Sequence, residues 1–157
     1  MALRKHEPVL AYNFALELRD GPLSAKAKGA YFHEVSGLSV DYEVVEHKTI
    51  DAQGRPLVQK LPGRISYGAV TLKRGITADL SLWQWHKSIF EETVEKARTT
   101  VLITLYDAGY HELFHWTLAR AWPSKISGPQ FVADSTDVAL EELTIVYESF
   151  LKESANR

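Results

Sequence analysis

Six histidines are the first residues in this 157-residue chain whose type could do chemistry, and His111 and His115 are the closest pair. On a helix that spacing would bring two imidazoles to one face, as many zinc sites require. The residues around them alternate as in a strand, where four residues span about 13 Å, too far for both rings to reach one ion easily. Glu112, the nearest carboxylate, alternates to the opposite face, so the pair reads as surface or interface histidines. Two carboxylate pairs could suggest acid–base work. Glu91 and Glu95 lie beside Lys87 and Lys96 on a polar helix face, where i,i+4 ion pairing accounts for them. Glu141 and Glu142 alternate across a strand, which reads as a solvated face rather than a dyad.

Nucleophile and phosphate motifs do not emerge either. The chain carries no Gly-x-Ser-x-Gly elbow, no P-loop lysine motif and no Gly-x-Gly-x-x-Gly. Ser36-Gly37 and Ser127-Gly128-Pro129 are turn chemistry. The absence of cysteine excludes disulfides, thiolate metal sites and cysteine catalysis together. Lys60, Arg64, Lys73 and Arg74 form a modest basic cluster, without the wider basic stripe that nucleic-acid recognition needs. The residues therefore point away from an enzyme, a metal site or a cofactor, and toward a structural role.

The elements that would carry such a role are mostly strands. At 45% hydrophobic residues and a net charge of −2, the chain has the makings of a single domain with its own core. Basic residues near the N-terminus are followed by no apolar run of signal-peptide length, and no segment reaches the span of a membrane helix; a cytoplasmic protein is expected. Tyr12, Phe14, Leu16 and Leu18 share one strand face. Tyr31–Val35, Val40–Ile50, Ile65–Lys73, Val101–Tyr106, Glu112–Ala121 and Val138–Leu151 read as further strands, with Trp122-Pro123 and Ser127-Gly128-Pro129 marking a loop. Asp51–Gly63, with two glycines and two prolines, reads as a long connection, such as a protruding hairpin tip.

Only residues 78–97 break the alternation. Leu82, Trp83, His86, Ile89, Phe90, Val94 and Ala97 recur at helical spacing, with Thr77 or Asp79 placed to cap the start. Trp83 falls in that stripe and reads as core. Trp85 lies nearly opposite and reads as an outward tryptophan needing a partner, a first hint of an assembly surface. The second hint is Val101–Tyr106, apolar on both faces apart from Thr104, amid long strands whose open edges call for pairing between subunits. One helix on about seven strands gives a mainly β fold: an antiparallel β-sandwich or partial barrel with one flanking α-helix.

Several segments, in order, resemble the inner tail-tube proteins of contractile phages and phage-derived contractile injection systems. They are Tyr12-Asn13-Phe14 with Leu16, Phe32-His33-Glu34-Val35-Ser36-Gly37-Leu38, and Val44-Val45-Glu46-His47, whose His47 stands where the family commonly has tyrosine. Lys60-Leu61-Pro62-Gly63-Arg64, Leu72-Lys73-Arg74-Gly75 and Leu82-Trp83-Gln84-Trp85 match the centre. Ala121-Trp122-Pro123-Ser124-Lys125 with Gly128-Pro129, then Val138–Leu143, match the end. The resemblance covers roughly residues 12–150; the type VI secretion tube protein is similar in fold.

The resemblance implies a hexameric ring with a continuous inner β-barrel, stacked rings forming a rigid hollow tube, and no enzymatic activity. The implied partners are further copies of the chain, a contractile sheath protein, baseplate or spike and terminal cap proteins, and cargo or DNA in the lumen, with no membrane anchoring. The particle would assemble in the cytoplasm and be released. One domain would span residues 1–157, with an N-terminal arm (1–11), an extended loop (51–63) and the helix (78–97). Arg55, Pro56, Leu57, Val58, Gln59, Lys60, Arg64, Lys73, Arg74 and Trp85 would then serve subunit contacts and ring stacking. Other readings are a tube-initiating or terminal paralogue at the baseplate and, in a different class, a monomeric β-barrel binding a small ligand.

Overall fold

A computed structural model of the chain describes residues 13–20, 30–129, 133–134 and 136–154. The expected N-terminal arm (1–11) and the 21–28 loop lie outside the described residues. The elements are β1 (Asn13–Leu18), β2 (Ala30–Phe32), β3 (Glu34–Ser36), β4 (Val40–Ile50), β5 (Pro56–Tyr67), β6 (Val70–Gly75), α1 (Ser81–Glu91), α2 (Val94–Ala97), β7 (Thr99–Tyr106), β8 (Glu112–Ser127), β9 (Leu140–Val146) and β10 (Ser149–Ser154). β4 and β5 form a two-stranded ribbon; the other eight strands form one sheet in the order β2-β1-β7-β8-β9-β6-β3, with β10 also paired to β8. All pairings are antiparallel.

Bent strands turn this sheet into a partial barrel. β2 and β3 are separated only by His33, yet β2 pairs with β1 and β3 with β6, so both ends of the sheet meet on one segment. The His33 amide donates to the carbonyl of Lys73 at 3.1 Å, holding the corner. On the far side, β9 pairs with the second half of β8 and β10 with the first half, and the chain turns between them at Tyr147-Glu148. Opposite that turn, one extra residue enters β8 around Ala119-Arg120, and Arg120 takes a left-handed φ of 52°. Arg120 bonds Glu148 at 3.1 Å and Glu95 at 2.9 Å, tying the corner to α2.

The expected long strand Val138–Leu151 is thus two strands around a corner, and Ile65–Lys73 is likewise split at Gly68-Ala69. Trp122-Pro123 lies inside β8 instead of in a loop. β7 pairs with β8 only as far as Ala121, so Pro123 meets an unpaired edge there, and its missing N–H breaks no ladder on that side.

Period-2 alternation builds the core. Leu16 and Leu18, Val101 and Ile103, Leu118, Val70 and Leu72, and Leu143 and Ile145 are all buried. Each such side chain contributes about 1.5–3 kcal/mol relative to exposure. α1 closes this core with Leu82 and Trp85.

The helix corrects two expectations. It is interrupted at Glu92-Thr93, and Thr93 caps α2 by accepting from the Lys96 amide at 3.3 Å. Val94 and Ala97 therefore belong to a separate turn and no longer extend the expected stripe. The face that then wins is Leu82, Trp85 and Ile89 at i, i+3 and i+7. Trp85, expected outside, is 2% exposed and donates its indole N–H to the Ala97 carbonyl at 2.8 Å. Trp83, expected in the core, is 39% exposed and donates to Glu141. Leu80 stands at the N-cap without a side-chain bond, while Asp79 accepts from the Ser81 amide at 3.0 Å and so serves the first turn from one residue earlier.

A buried ion pair joins this helix to the sheet. Arg74 and Glu141 are cross-strand partners on β6 and β9, with Nε donating to Oε2 at 2.7 Å, and both are buried. Arg74 also bonds the carbonyl and carboxylate of Asp79, at 3.2 and 3.4 Å, just before α1. Glu141, expected on a solvated face, is thus the hub between β6, β9 and α1. His115 also departs from expectation: its two ring nitrogens meet Glu112 at 2.6 Å and Glu153 at 2.9 Å, so Glu112 reaches the same side of β8. Burial acts to lower the His115 pKa, but the bonds to Glu153 and Glu112 outweigh it and raise the value.

Removing one member of a buried pair strands the other charge, at about 3–5 kcal/mol. Glu141→Ala should therefore lower Tm on the order of 10 °C. Lys87→Ala, which removes an exposed pair with Glu91, should cost under about 0.5 kcal/mol. Thermal melts of the two variants beside the parent protein check this difference.

Candidate assembly surface

The β4–β5 ribbon is held by ten cross-strand partner pairs, from Val40↔Tyr67 to Ile50↔Pro56. It packs chiefly on itself. Its root is attached where the Gly68 amide donates to the Ser39 carbonyl at 3.1 Å and where Tyr67 meets the rings of Tyr147 and Phe150. Gly37, at φ 88°, lies so close to the root that an added Cβ would stand 2.1 Å from the Ala69 carbonyl oxygen. Only glycine admits this crossing.

The Pro-Gly segment expected to be a long connection is mostly strand. The turn is confined to Asp51–Arg55, and Pro56 through Gly63 belong to β5. Tyr42 pairs with Ile65 and Val44 with Pro62, so Gly63 and Arg64 together face Glu43 in a bulge. A Cβ at Gly63 would stand 3.0 Å from the Glu43 carbonyl oxygen, which is why glycine sits there. Both prolines are tolerated because each ribbon strand has an open outer edge.

One carboxylate organises the tip. Asp51 accepts from the amides of Gln53 at 2.9 Å and Arg55 at 2.8 Å, and from the Arg55 Nε at 2.8 Å. The Arg55 amide foremost holds its pKa below the ordinary 3.8; desolvation opposes this, and the Arg55 side chain and the Gln53 amide add to it.

Cross-strand partners share a face, so the register sorts the ribbon's side chains. One face gathers Val40, Tyr42, Val44, Ile50, Val58 and Ile65, each 40–67% exposed, with Glu46, Lys48 and Lys60 among them. The other face mixes Val45, Leu57 and Leu61 with Asp41, Glu43, His47 and Gln59. Isolated two-stranded ribbons are marginal in water, and this face leaves two exposed apolar groups, Val40, Tyr42, Val44 and Ile65 near the root and Ile50 and Val58 near the tip, with Glu46, Lys48 and Lys60 between them.

Of the residues singled out from sequence, the ribbon brings together Arg55, Pro56, Leu57, Val58, Gln59, Lys60 and Arg64. Lys73 lies away in β6, paired with Glu34 at 3.2 Å. Arg74 and Trp85 are buried inside the protomer, where neither can meet a neighbour. The apolar residues of β4 and Ile65, whose alternation is legible in the sequence, stand on the same ribbon and are exposed.

The fold defines a class: a mainly β domain whose antiparallel sheet bends into a partial barrel and carries an exposed two-stranded ribbon. Residues 10–151 match the family model described as T4-like virus tail tube protein gp19, and the chain belongs to that family. Among solved structures, it is similar to a chain of the PVC sheath-tube complex of an extracellular contractile injection system in the extended state. Identity is 24%, TM-score 0.75, and 96% of this chain and 95% of that one are covered. A chain of the PVC sheath/tube terminator gives 25% identity, TM-score 0.73 and coverage of 96% and 99%. Hcp1 from Flavobacterium johnsoniae, at 18% identity, TM-score 0.52 and coverage of 90% and 94%, has a related fold. No curated protein sequence matches the chain significantly.

The folded-state pKa of Asp51 lies below the unfolded value. The tip is therefore held at pH above about 3.8 and released as pH falls through the depressed value. Asp51→Ala should speed hydrogen exchange of the Gln53 and Arg55 amides several-fold at neutral pH. In the parent protein, the same amides should lose protection only under acid conditions.

Proposed function

We propose that this tail tube protein is the main tube-building subunit of a contractile phage tail or injection particle. Six copies would close a ring, and stacked rings would make a rigid hollow tube that a contracting sheath drives through a target envelope, delivering cargo or DNA. The role is mechanical, with no catalysis by this chain, and assembly takes place in the cytoplasm before the particle is released. The observation that carries this reading is the ribbon. A filled barrel core stands beside a surface of exposed apolar side chains that extends beyond the barrel, and repeated contact between copies would cover it. The likeness to a PVC sheath-tube chain supports the sheath as partner.

A second reading, that the chain ends a tube instead of extending it, is supported by the similar likeness to the PVC sheath/tube terminator and to the cap of the anti-feeding prophage. A monomeric ligand-binding barrel is disfavoured because Leu16, Ile103, Leu118 and Ile145 fill the interior.

Negative-stain electron microscopy of the purified protein separates these readings. Long tubes of six-fold rings are expected from the main subunit, and single rings from a terminator. A monodisperse monomer at high concentration, with no assembly alongside the sheath protein, would overturn both. Replacing residues 48–58 by Asn-Gly cuts the ribbon at the His47↔Gln59 pair without shifting its register. That variant should keep its Tm within a few degrees and lose stacking.

A further inference from the structure

We propose that His115 is a proton-operated clasp on the last strand, β10. With two protons on its ring it fastens the far end of β10 to β8, and on losing one it lets that end go. The device lies within a single protomer and does not depend on the tube reading.

Its geometry comes from one extra residue. Three positions separate Glu112 from His115, which in a regular strand would put them on opposite faces. Leu105 pairs with Phe114 but Tyr106 with Glu112, so Leu113 is an extra residue and Glu112 comes to the face of His115. Glu153 stands on the same face, as the cross-strand partner of His115 in β10. The imidazole is thus held between two carboxylates, Nδ1 at 2.6 Å from Glu112 Oε1 and Nε2 at 2.9 Å from Glu153 Oε2.

A neutral imidazole has one N–H and can donate to only one of them. Its other nitrogen would then turn a lone pair on a carboxylate lone pair. Two bonds need two protons, and the second goes to imidazole before a glutamate, whose ordinary pKa is about two units lower. Both bonds are therefore made by the imidazolium alone. The neighbours on this face do not titrate with it. Thr104, the partner of His115 in β7, carries no charge. Burial foremost, then Glu112, Tyr31 of β2 and Glu17 of β1, raise the Tyr106 pKa and keep that phenol neutral where His115 titrates. Lys152 stands on the opposite face, over Phe114 and Trp116.

β10 depends on this clasp at one end. At its start, Phe150 packs against the core and the preceding Glu148 is bonded by Arg120. Residues 151–154 are exposed, and among the described residues β10 pairs with β8 alone. This end is held on one face by Lys152 and on the other by Glu153. The lysine does not titrate near neutral pH, whereas His115 does. Proton loss therefore loosens the far end of β10 and leaves its root in place.

Burial opposes the charge on His115, but the bonds to Glu153 and Glu112 prevail and raise its folded pKa above the ordinary 6.5. The clasp is accordingly closed below about pH 6.5 and opens as pH rises through the raised value. Linkage makes the effect reciprocal: attachment of β10 strengthens proton binding by the same factor that the proton strengthens attachment, tenfold per pKa unit.

Nitrogen NMR of the imidazole in the full chain follows the titration, and hydrogen exchange of residues 151–154, corrected for its intrinsic pH dependence, follows the strand. Both ring nitrogens should be protonated at about pH 6, and His115 should titrate above 6.5 in the parent and lower in Glu153→Gln. Between about pH 6 and about pH 9, parent protection should fall tenfold for each unit separating those two pKa values. His115→Gln should show the lower protection at both pH values. A parent His115 that titrates at or below 6.5, or parent protection that stays level through the titration, would overturn the clasp. Either result is read on the parent protein, so a variant that fails to fold leaves the test intact.

Discussion

An apolar face on a two-stranded ribbon is the constraint around which this molecule is arranged. Val40, Tyr42, Val44, Ile50, Val58 and Ile65 lie on a strand pair that the other described residues leave exposed. At about 25 cal/mol per Å² of apolar surface, covering a face about 35 Å by about 10 Å is worth less than about 9 kcal/mol before costs, because Glu46, Lys48 and Lys60 occupy part of it. Lost translational and rotational freedom alone costs about 4–15 kcal/mol. A single contact is therefore near balance, and only a subunit held on several sides gains decisively.

The body of the domain is built in the opposite way, to resist deformation. Its charges are committed internally: Arg74 to Glu141 and Asp79, Arg120 to Glu95 and Glu148, and His115 between two glutamates. The buried pair Arg74–Glu141 adds little net stability over apolar side chains of the same volume, yet it is costly to break one-sidedly and fixes a register. Arg74–Glu141 pins β6 to β9 at the end where α1 begins, and the Arg120 cluster pins the corner between β9 and β10. Bent strands extend that rigidity, because β2–β3 and β9–β10 each join two parts of the sheet through one short turn.

Much of this was legible in the sequence, for reasons that also explain what was not. Alternation marked the strands, the prevalence of antiparallel pairing and the partial barrel, and the ordered segments marked the family. The bends at Tyr147-Glu148 and Gly68-Ala69 were read through although the apolar positions change phase there, from Ile65 and Tyr67 to Val70 and Leu72 and from Ile145 and Tyr147 to Phe150, because one shifted residue hardly disturbs a long apolar run. Pro123 looked like a loop residue because sequence does not reveal that its edge of β8 is unpaired. The helix was rotated in expectation because its stripe was counted across Glu92-Thr93, where Thr93 starts a new turn, and that moved Trp85 outward and Trp83 inward. Of the residues singled out for subunit contacts on the family resemblance, Arg55–Lys60 and Arg64 lie together on the ribbon or its tip. Arg74 was mistaken for a contact because a buried charge and an exposed one look alike until the partner strand is known.

The prolines and glycine of β5 also bear on how the ribbon is used. A flat strand pair with two open edges invites edge-to-edge pairing with any other strand, which leads to uncontrolled aggregation. Pro56 and Pro62 each lack an amide hydrogen, and the bulge at Gly63-Arg64 breaks the even spacing of β5. Lys48 and Lys60 add charge along the same stretch. These features spoil the ribbon as an edge template and leave its apolar face intact. Recognition is thereby shifted from backbone pairing, which is indifferent to sequence, to side-chain packing, which is not.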